Sequence, residues 1–494
     1  MKKILVAAVI LLVLDPVVVW LMGFATEQRV DGLADQAQLM VPQLHLVRKT
    51  RQGFLTSDED ATYELGSTLK LTRHYHRGWY SSVEESSLEI SRAAYGALAA
   101  VGPASANIPA GGSGAAPFRV WLRTVIHHGP LCGWNCFALA GADTHVTVSG
   151  ALQASLTRLF GDQEPLTISA RFAFLGGGSA KISSPAFERA QLDPGVSLSW
   201  GGFDGTTHYG AHQDWYDMAA TAPSLRLEGT KGTLQIEGMS LDLRGKRLLR
   251  TLYGGDSRMA VKRLSVAGTE NTPQVAVNDL VIANQNDAKD GFMSVSYQLG
   301  GGTIATQSLT LSSAHLDLTW NHLALEPLES LFDALRAASQ QQNTAVSPAA
   351  RAQDMMTALK QPLEALLLQQ PEMQIDRVSL ATAQGQGQVT GLIRLAGVGA
   401  ADFQGPPALL LKKLDVRLDL SIDEAFLQSL PGAAANALTQ LQPMIDQGYI
   451  TRSNGALRTQ ILVRGGQSTF NGKPFNPAAL RPAGPAFPAT PPPH

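Results

Sequence analysis

Between Leu44 and Ile90 the alternation of apolar and polar positions runs through the same cycle twice. Leu44 to Leu65 reads LHLVRKTRQGFLTSDEDATYEL, and Leu69 to Ile90 reads LKLTRHYHRGWYSSVEESSLEI. At an offset of about 25 residues, Leu44/Leu69, Leu46/Leu71, Arg48/Arg73, Gly53/Gly78, Ser57/Ser82, Glu59/Glu84 and Glu64/Glu89 are identical pairs. A short internal period marks a stacked supersecondary unit that cannot bury its apolar face alone. Each copy reads as a hairpin, with period-two strands on either side of Gly53 or Gly78, so the two copies predict a four-stranded meander.

The chain before and after this repeat follows other periods. Ile4 to Phe24 is a nearly unbroken apolar run behind Lys2 and Lys3, long enough to span a bilayer, with Asp15-Pro16 at mid-depth. It predicts a transmembrane signal anchor over residues 1–25, with the lysines cytoplasmic and the rest of the chain in the periplasm. A cleaved signal peptide ending near Gly23-Phe24-Ala25 is the competing reading. Gly102 to Pro117 has loop composition.

From Thr144 to Thr319 short strands alternate with glycine turns, among them Leu166 to Phe174, Leu234 to Leu243, Val275 to Ile282 and Leu309 to Leu318. This spacing predicts an extended, curved, mostly antiparallel sheet of consecutive hairpins rather than βαβ units. Leu328, Leu331, Phe332 and Leu335 share one face of a helix over Glu326 to Ala338. A Gln/Asn-rich linker (339–350) and a C-terminal α+β region (351–480) follow. That region holds a helix at Met355 to Leu368, strands at Gln374 to Leu380, Val389 to Leu395 and Leu414 to Ile422, and a helix capped by Asp423. Residues 481–494 form a proline-rich tail predicted to be disordered. The fold class is α+β, β-dominated, with residues 26–338 as the β-rich domain and a few amphipathic helices in the C-terminal half.

Composition narrows the function classes. The 494 residues are 44% hydrophobic and 16% charged, with a formal net charge of −2, so no basic footprint for nucleic acid exists. The two cysteines, Cys132 and Cys136, are spaced for a short-loop disulfide in an oxidising compartment. A His/Cys metal site with His127 and His128 is the alternative.

Candidate chemistry is sparse. No nucleophile elbow, Walker loop, dinucleotide fingerprint or HExxH motif is present. Leu175-Gly176-Gly177-Gly178-Ser179 lacks the Lys-Ser/Thr of a phosphate loop and reads as a hairpin turn. His74/His76 and His208/His212 could each offer two metal ligands but lack a third. Asp58-Glu59-Asp60 and Glu84-Glu85 read as solvated strand faces. Gly78-Trp79-Tyr80-Ser81-Ser82 carries the sharpest local pattern, read as an aromatic covering a sheet edge while serines satisfy the turn; a partner or membrane-surface contact is the alternative.

The Lys-Lys start, His74-Tyr75-His76-Arg77-Gly78-Trp79-Tyr80-Ser81-Ser82, His128-Gly129-Pro130-Leu131, Gly448-Tyr449-Ile450 and Phe470-Asn471-Gly472-Lys473-Pro474 resemble the YdgA-like bacterial proteins, in that order and over nearly the whole chain. The resemblance implies an inner-membrane-anchored envelope protein with a domain of unknown function and no established catalytic residues. Gly53, Gly78, Trp79, Ser82, His128, Gly129, Pro130, Asn471 and Gly472 are therefore expected as structural motif residues, with no catalytic group, cofactor or metal. The expected function is non-enzymatic: handling of an apolar or lipidic ligand, or else a structural module that self-assembles or joins an envelope complex.

Overall fold

The computed structural model describes residues 18–31, 44–53, 56–65, 69–91, 118–129, 138–148, 150–193, 195–230, 232–268, 274–340, 348–406, 408–432 and 437–475. They fall into two compact units. The first takes Met1–Gly291 and Leu325–Leu363, the second Phe292–Ala324 and Glu364–His494.

In the first unit, strands follow the chain. β1 (Leu44–Gln52), β2 (Ser57–Leu65), β3 (Leu69–Arg77), β4 (Ser81–Ile90), β5 (Phe118–His128), β6 (Ala140–Val148), β7 (Thr167–Phe172) and β8 (Gly178–Ser184) each pair antiparallel with the next. A hairpin of β9 (Phe187–Asp193) and β10 (Val196–Trp200) branches off and pairs with β12 (Trp215–Gly229). The main ladder continues from β8 through β11 (Phe203–Tyr209), β12, β13 (Gly232–Arg247), β14 (Tyr253–Gly268) and β15 (Val275–Lys289). Helix α1 (residues 18–31), α2 (Gly150–Phe160), α3 (Leu325–Gln340) and most of α4 (Pro348–Leu368) belong to this unit.

The second unit is also antiparallel. β16 (Phe292–Gly301) pairs with β19 (Ser313–Ala324), which leads through β20 (Glu372–Ala381), β21 (Gln386–Leu395) and β22 (Leu414–Asp423) to β24 (Ala456–Arg464). The short strands β17 (Ile304–Thr306), β18 (Thr310–Leu311), β23 (Thr451–Ser453), β25 (Gln467–Phe470) and β26 (Lys473–Pro474) extend its edges and turns. Helices α5 (Ala408–Lys412), α6 (Glu424–Ser429) and α7 (Ala437–Asp446) complete it. Its core gathers Phe426, Leu427, Ile450 and Leu457, with Leu438, Leu441 and Met444 against them.

The repeat does form two hairpins, but their registers differ by one residue. Leu46 faces Tyr63 as Leu71 faces Leu88. A bulge between Leu46 and Arg48 then shifts β1, so Arg48 faces Thr62 while its counterpart Arg73 faces Ser86. A slip of one residue turns every following side chain to the opposite face. Arg73 is consequently buried and Arg48 exposed, and Lys49 and Arg51 take the inward positions of β1.

The predicted transmembrane helix is corrected. Residues 18–31 form one helix that runs without a break past Phe24 to Asp31. Val19, Gly23, Glu27 and Asp31 recur at four-residue spacing and so share one stripe. That stripe lies on the hairpin sheet: Val19, Gly23 and Glu27 are buried, as is Thr26 beside them. Average hydropathy over the run conceals the stripe, because the carboxylates come just after the apolar stretch ends. Among the described residues no helix is long and apolar enough to cross a membrane. Residues 1–17, including Asp15, and Pro130, Cys132 and Cys136 lie outside the described residues, and with them the disulfide expected of the two cysteines.

Candidate functional site

The first unit holds two arrangements that depart from an ordinary apolar core. The first is the seat of α1. Alternation along β2, β3 and β4 places Ser57, Glu59, Arg73, Arg77, Ser82 and Glu84 on the face that α1 covers. Glu27 of α1 receives a 2.7 Å hydrogen bond from Ser57 Oγ. Its other oxygen lies 2.7 Å from Arg51 and 3.0 Å from Arg77. One turn on, Asp31 meets Lys49 at 3.3 Å and Arg73 at 3.3 Å. Arg73 also reaches Glu59 at 3.2 Å and Glu84 at 3.2 Å, and Lys49 reaches Glu59 at 3.3 Å. Four carboxylates thus meet four cations, and the seat is formally neutral only with α1 in place.

Burial and the neighbouring Asp31 carboxylate raise the Glu59 pKa, while Lys49 and Arg73 pull against them. Burial works against the charge on Arg73, but Glu84, Glu59 and Asp31 outweigh it and hold the guanidinium firmly charged. The Arg77 guanidinium is covered by the rings of Trp20 and Phe24, each centroid 5.4 Å away, a cation–π arrangement with two rings of α1.

Beside the ion pairs runs a neutral chain. Tyr75 Oη donates to Ser82 Oγ at 2.9 Å, and Ser82 Oγ shares a 2.8 Å hydrogen bond with His128 Nε2. Burial lowers the His128 pKa to about 4; a backbone contact at Trp79 opposes this, and Arg77 and His127 add to it. The ring also fixes the approach of α1. A Cβ on Gly23 would lie 2.5 Å from His128 Nδ1, and one on Gly129 would lie 3.3 Å from a Val19 methyl. The expected structural residues Ser82, His128 and Gly129 therefore converge on one contact with α1. Ser82 and His128 have the spacing of a nucleophile and its base, yet both are buried beneath the helix.

The remaining motif residues separate. Gly53 (φ +91°) and Gly78 turn the two hairpins, the second closed by a 2.9 Å bond from Gly78 N to Ser81 O. Trp79 is 42% exposed. Asn471 and Gly472, at φ 46° and 77°, make the two-residue turn between β25 and β26, and the Asn471 side chain bonds Gln460 N and Tyr449 O. His74 and His76 point away from the seat, each held by one carboxylate: Asp60 at 2.8 Å and Asp58 at 2.7 Å. Asp58 and Asp60 are exposed as expected of a solvated strand face. Glu59, between them, is 1% exposed, and Glu84 lies on the same covered face against Arg73 while Glu85 is exposed, so that expectation fails for the two residues that alternation turns inward. Gly176 and Gly177, at φ 102° and 72°, turn β7 into β8.

The second arrangement is a cavity of about 500 Å³ between the ends of β11–β14 and α3. Tyr209, Tyr216, Met218, Leu243 and Tyr253 supply its apolar wall, and Arg247, Arg250 and Arg336 its cations. The turn before β12 puts His212 and Gln213 in the left-handed region, at φ 52° and 55°. Their carbonyls accept from Arg247, which also donates to Tyr253 Oη at 2.9 Å. Asp333 of α3 pairs with Arg250 at 2.6 Å and Arg336 at 3.2 Å, and Glu329 accepts from Thr251. His208 is exposed on the other face of β11, so it does not meet His212 as a ligand pair. Among the described residues no three His, Cys, Asp or Glu side chains gather as metal ligands.

Neither arrangement announces itself in a local motif. The seat was readable in part from the four-residue stripe at Val19, Gly23, Glu27 and Asp31 and from the inward positions of Glu59 and Arg73. The cavity joins residues from 207 to 336 and leaves no such signal.

No curated protein matches the chain, and no solved structure does. A family described as a bacterial protein of unknown function (DUF945) matches residues 1–478. That span takes in the doubled hairpins, α1 with its seat and the cavity, and the chain belongs to this family.

Proposed function

We propose that the first unit is a non-enzymatic binding module whose cavity takes a small amphiphile. The apolar portion lies on Tyr216, Met218 and Leu243, and an anionic end faces Arg247, Arg250 and Arg336. The supporting observation is the cavity itself, about 500 Å³ and lined by tyrosines and arginines together. That volume is within the range of ordinary ligand sites, and an apolar surface with a few convergent polar groups is their usual chemistry. Counting Asp333 and Glu329 against the three arginines leaves one positive charge, enough to favour an anionic head over a cationic one.

Dodecyl phosphate, titrated into the full chain by calorimetry, is the direct test. Saturable binding at one per chain is expected, abolished by Met218→Trp, which fills the cavity, and weakened about tenfold by Arg336→Ala through loss of one charge-assisted contact. Binding that is absent, or indifferent to Met218→Trp, would refute the reading.

Two finer assignments belong to the same proposal. The order of the His74–Ser82, His128–Pro130 and Phe470–Pro474 segments supports a place among the YdgA-like members of the family. Placement in the cell envelope rests on that resemblance alone. Fractionation that recovers the chain only from cytosol would remove it.

A further inference from the structure

We propose that α1 is a detachable ligand of the hairpin sheet, and that the seat beneath it is a recognition groove for an acidic helix of another protein chain. The segment it reads carries a small residue followed by carboxylates four and eight positions on, as Gly23, Glu27 and Asp31 stand in α1.

Charge complementarity carries the inference. Without α1 the groove keeps Lys49, Arg51, Arg73 and Arg77 against only Glu59 and Glu84, an excess of two positive charges. Glu27 and Asp31 supply the two negative charges that balance it. Shape complements charge: His128, held by Ser82, leaves room at Gly23 for no side chain. A helix lacking a small residue there cannot approach closely enough to deliver its carboxylates.

Detachment follows from the chemistry of the contact. Buried ion pairs confer specificity, while their attraction is largely offset by desolvation. When α1 leaves, water recovers those charges, and the apolar part of the contact, Met22, Ala25 and Val30 against the Tyr75 and Ile126 cluster, is what opposes release. The sheet below does not depend on the helix for its ladder. Among the described residues no backbone hydrogen bond joins α1 to a strand, and Arg29 reaches only the carbonyls of Ala173 and Phe174, in the turn after β7.

The test uses the full chain and a fluorescent peptide of residues 18–31. In the unmodified chain, hydrogen exchange followed by mass spectrometry should show α1 amides exchanging at least tenfold faster than those of β2 and β3. The peptide should bind the Gly23→Leu chain, whose own helix is pushed off His128, at least tenfold more tightly than the unmodified chain. A peptide carrying Glu27→Gln and Asp31→Asn should lose at least tenfold of that affinity. Equal protection of α1 and the strands overturns the proposal, and so does peptide binding that ignores the two carboxylates. Should Gly23→Leu fail to fold, the exchange comparison in the unmodified chain decides.

Discussion

Both units lay helices on an antiparallel sheet, and they do so with different chemistry. In the second unit α6 and α7 meet the sheet through Phe426, Leu427, Leu438, Leu441 and Met444 around Ile450 and Leu457. In the first, α1 adds ion pairs at Glu27 and Asp31 to the packing of Met22, Ala25 and Val30 against an apolar cluster around Tyr75 and Ile126. Apolar burial is additive and nondirectional, so it holds a helix firmly but fixes its register weakly. Ion pairs at about 3 Å fix register strongly and hold weakly. One seat is built for strength and the other for identity.

Breaking one partner in each seat should expose the contrast. Arg77→Met leaves Glu27 buried with only Arg51 and Ser57, and should cost about 3–5 kcal/mol in urea unfolding of the first unit. Adding Glu27→Met should restore most of it, since no uncompensated charge is left. A double variant no better than the single would show that charge is not what governs this seat. In the second unit, Leu457→Ala should cost about 2–5 kcal/mol through the cavity left behind, with no partner substitution that restores it.

Acid should separate the two seats next. His128 titrates at about 4 when folded, below its ordinary 6.5. Between those values the unfolded chain binds the proton that the folded chain refuses. Stability is therefore complete above about pH 6.5 and falls as the pH drops towards 4, by about 3 kcal/mol. Tyr75, Ser82, the Trp79 backbone, Gly23, Arg77 and His127 surround the ring, and among them no carboxylate welcomes its charge. Glu59 opposes the trend: its raised pKa lets the folded state take up a proton first and softens the loss. Thermal melts of His128→Asn should be flatter between pH 6.5 and 4 than those of the unmodified chain. An unchanged slope would put the acid response elsewhere. Smaller still, Gly472→Ala, at φ 77°, should cost about 1 kcal/mol, and Trp79→Ser, half in water, under about 0.5 kcal/mol.

Strands were the legible part of this fold, because alternation and glycine turns are local. The helix Leu325–Gln340 was legible for the same reason, its apolar face repeating at Leu328, Leu331, Phe332 and Leu335. The use of charge was not. Asp58-Glu59-Asp60 looks like one acidic run, yet a strand sends its middle residue inward and its neighbours out. Arg48 and Arg73 are the same letter in the same place of the repeat, and the bulge gives them opposite faces. The apolar run ending at Phe24 suggested lipid as the surroundings of a helix whose next turn carries Glu27. For the bulge and for Glu27 the deciding partner lies on another element, beyond the reach of any local period, while the inward turn of Glu59 follows from an alternation that the acidic run masks.

The one-residue slip between the hairpins has an evolutionary consequence. Duplication ordinarily yields two copies of one surface, and new chemistry must wait for substitutions. Here a bulge in the first copy brings Lys49 and Arg51 inside without any need to change the letters shared with the second copy. A shift of strand pairing at constant length is thus worth a whole set of point mutations. Engineering the two copies into perfect identity would erase half of the cations that α1 answers to.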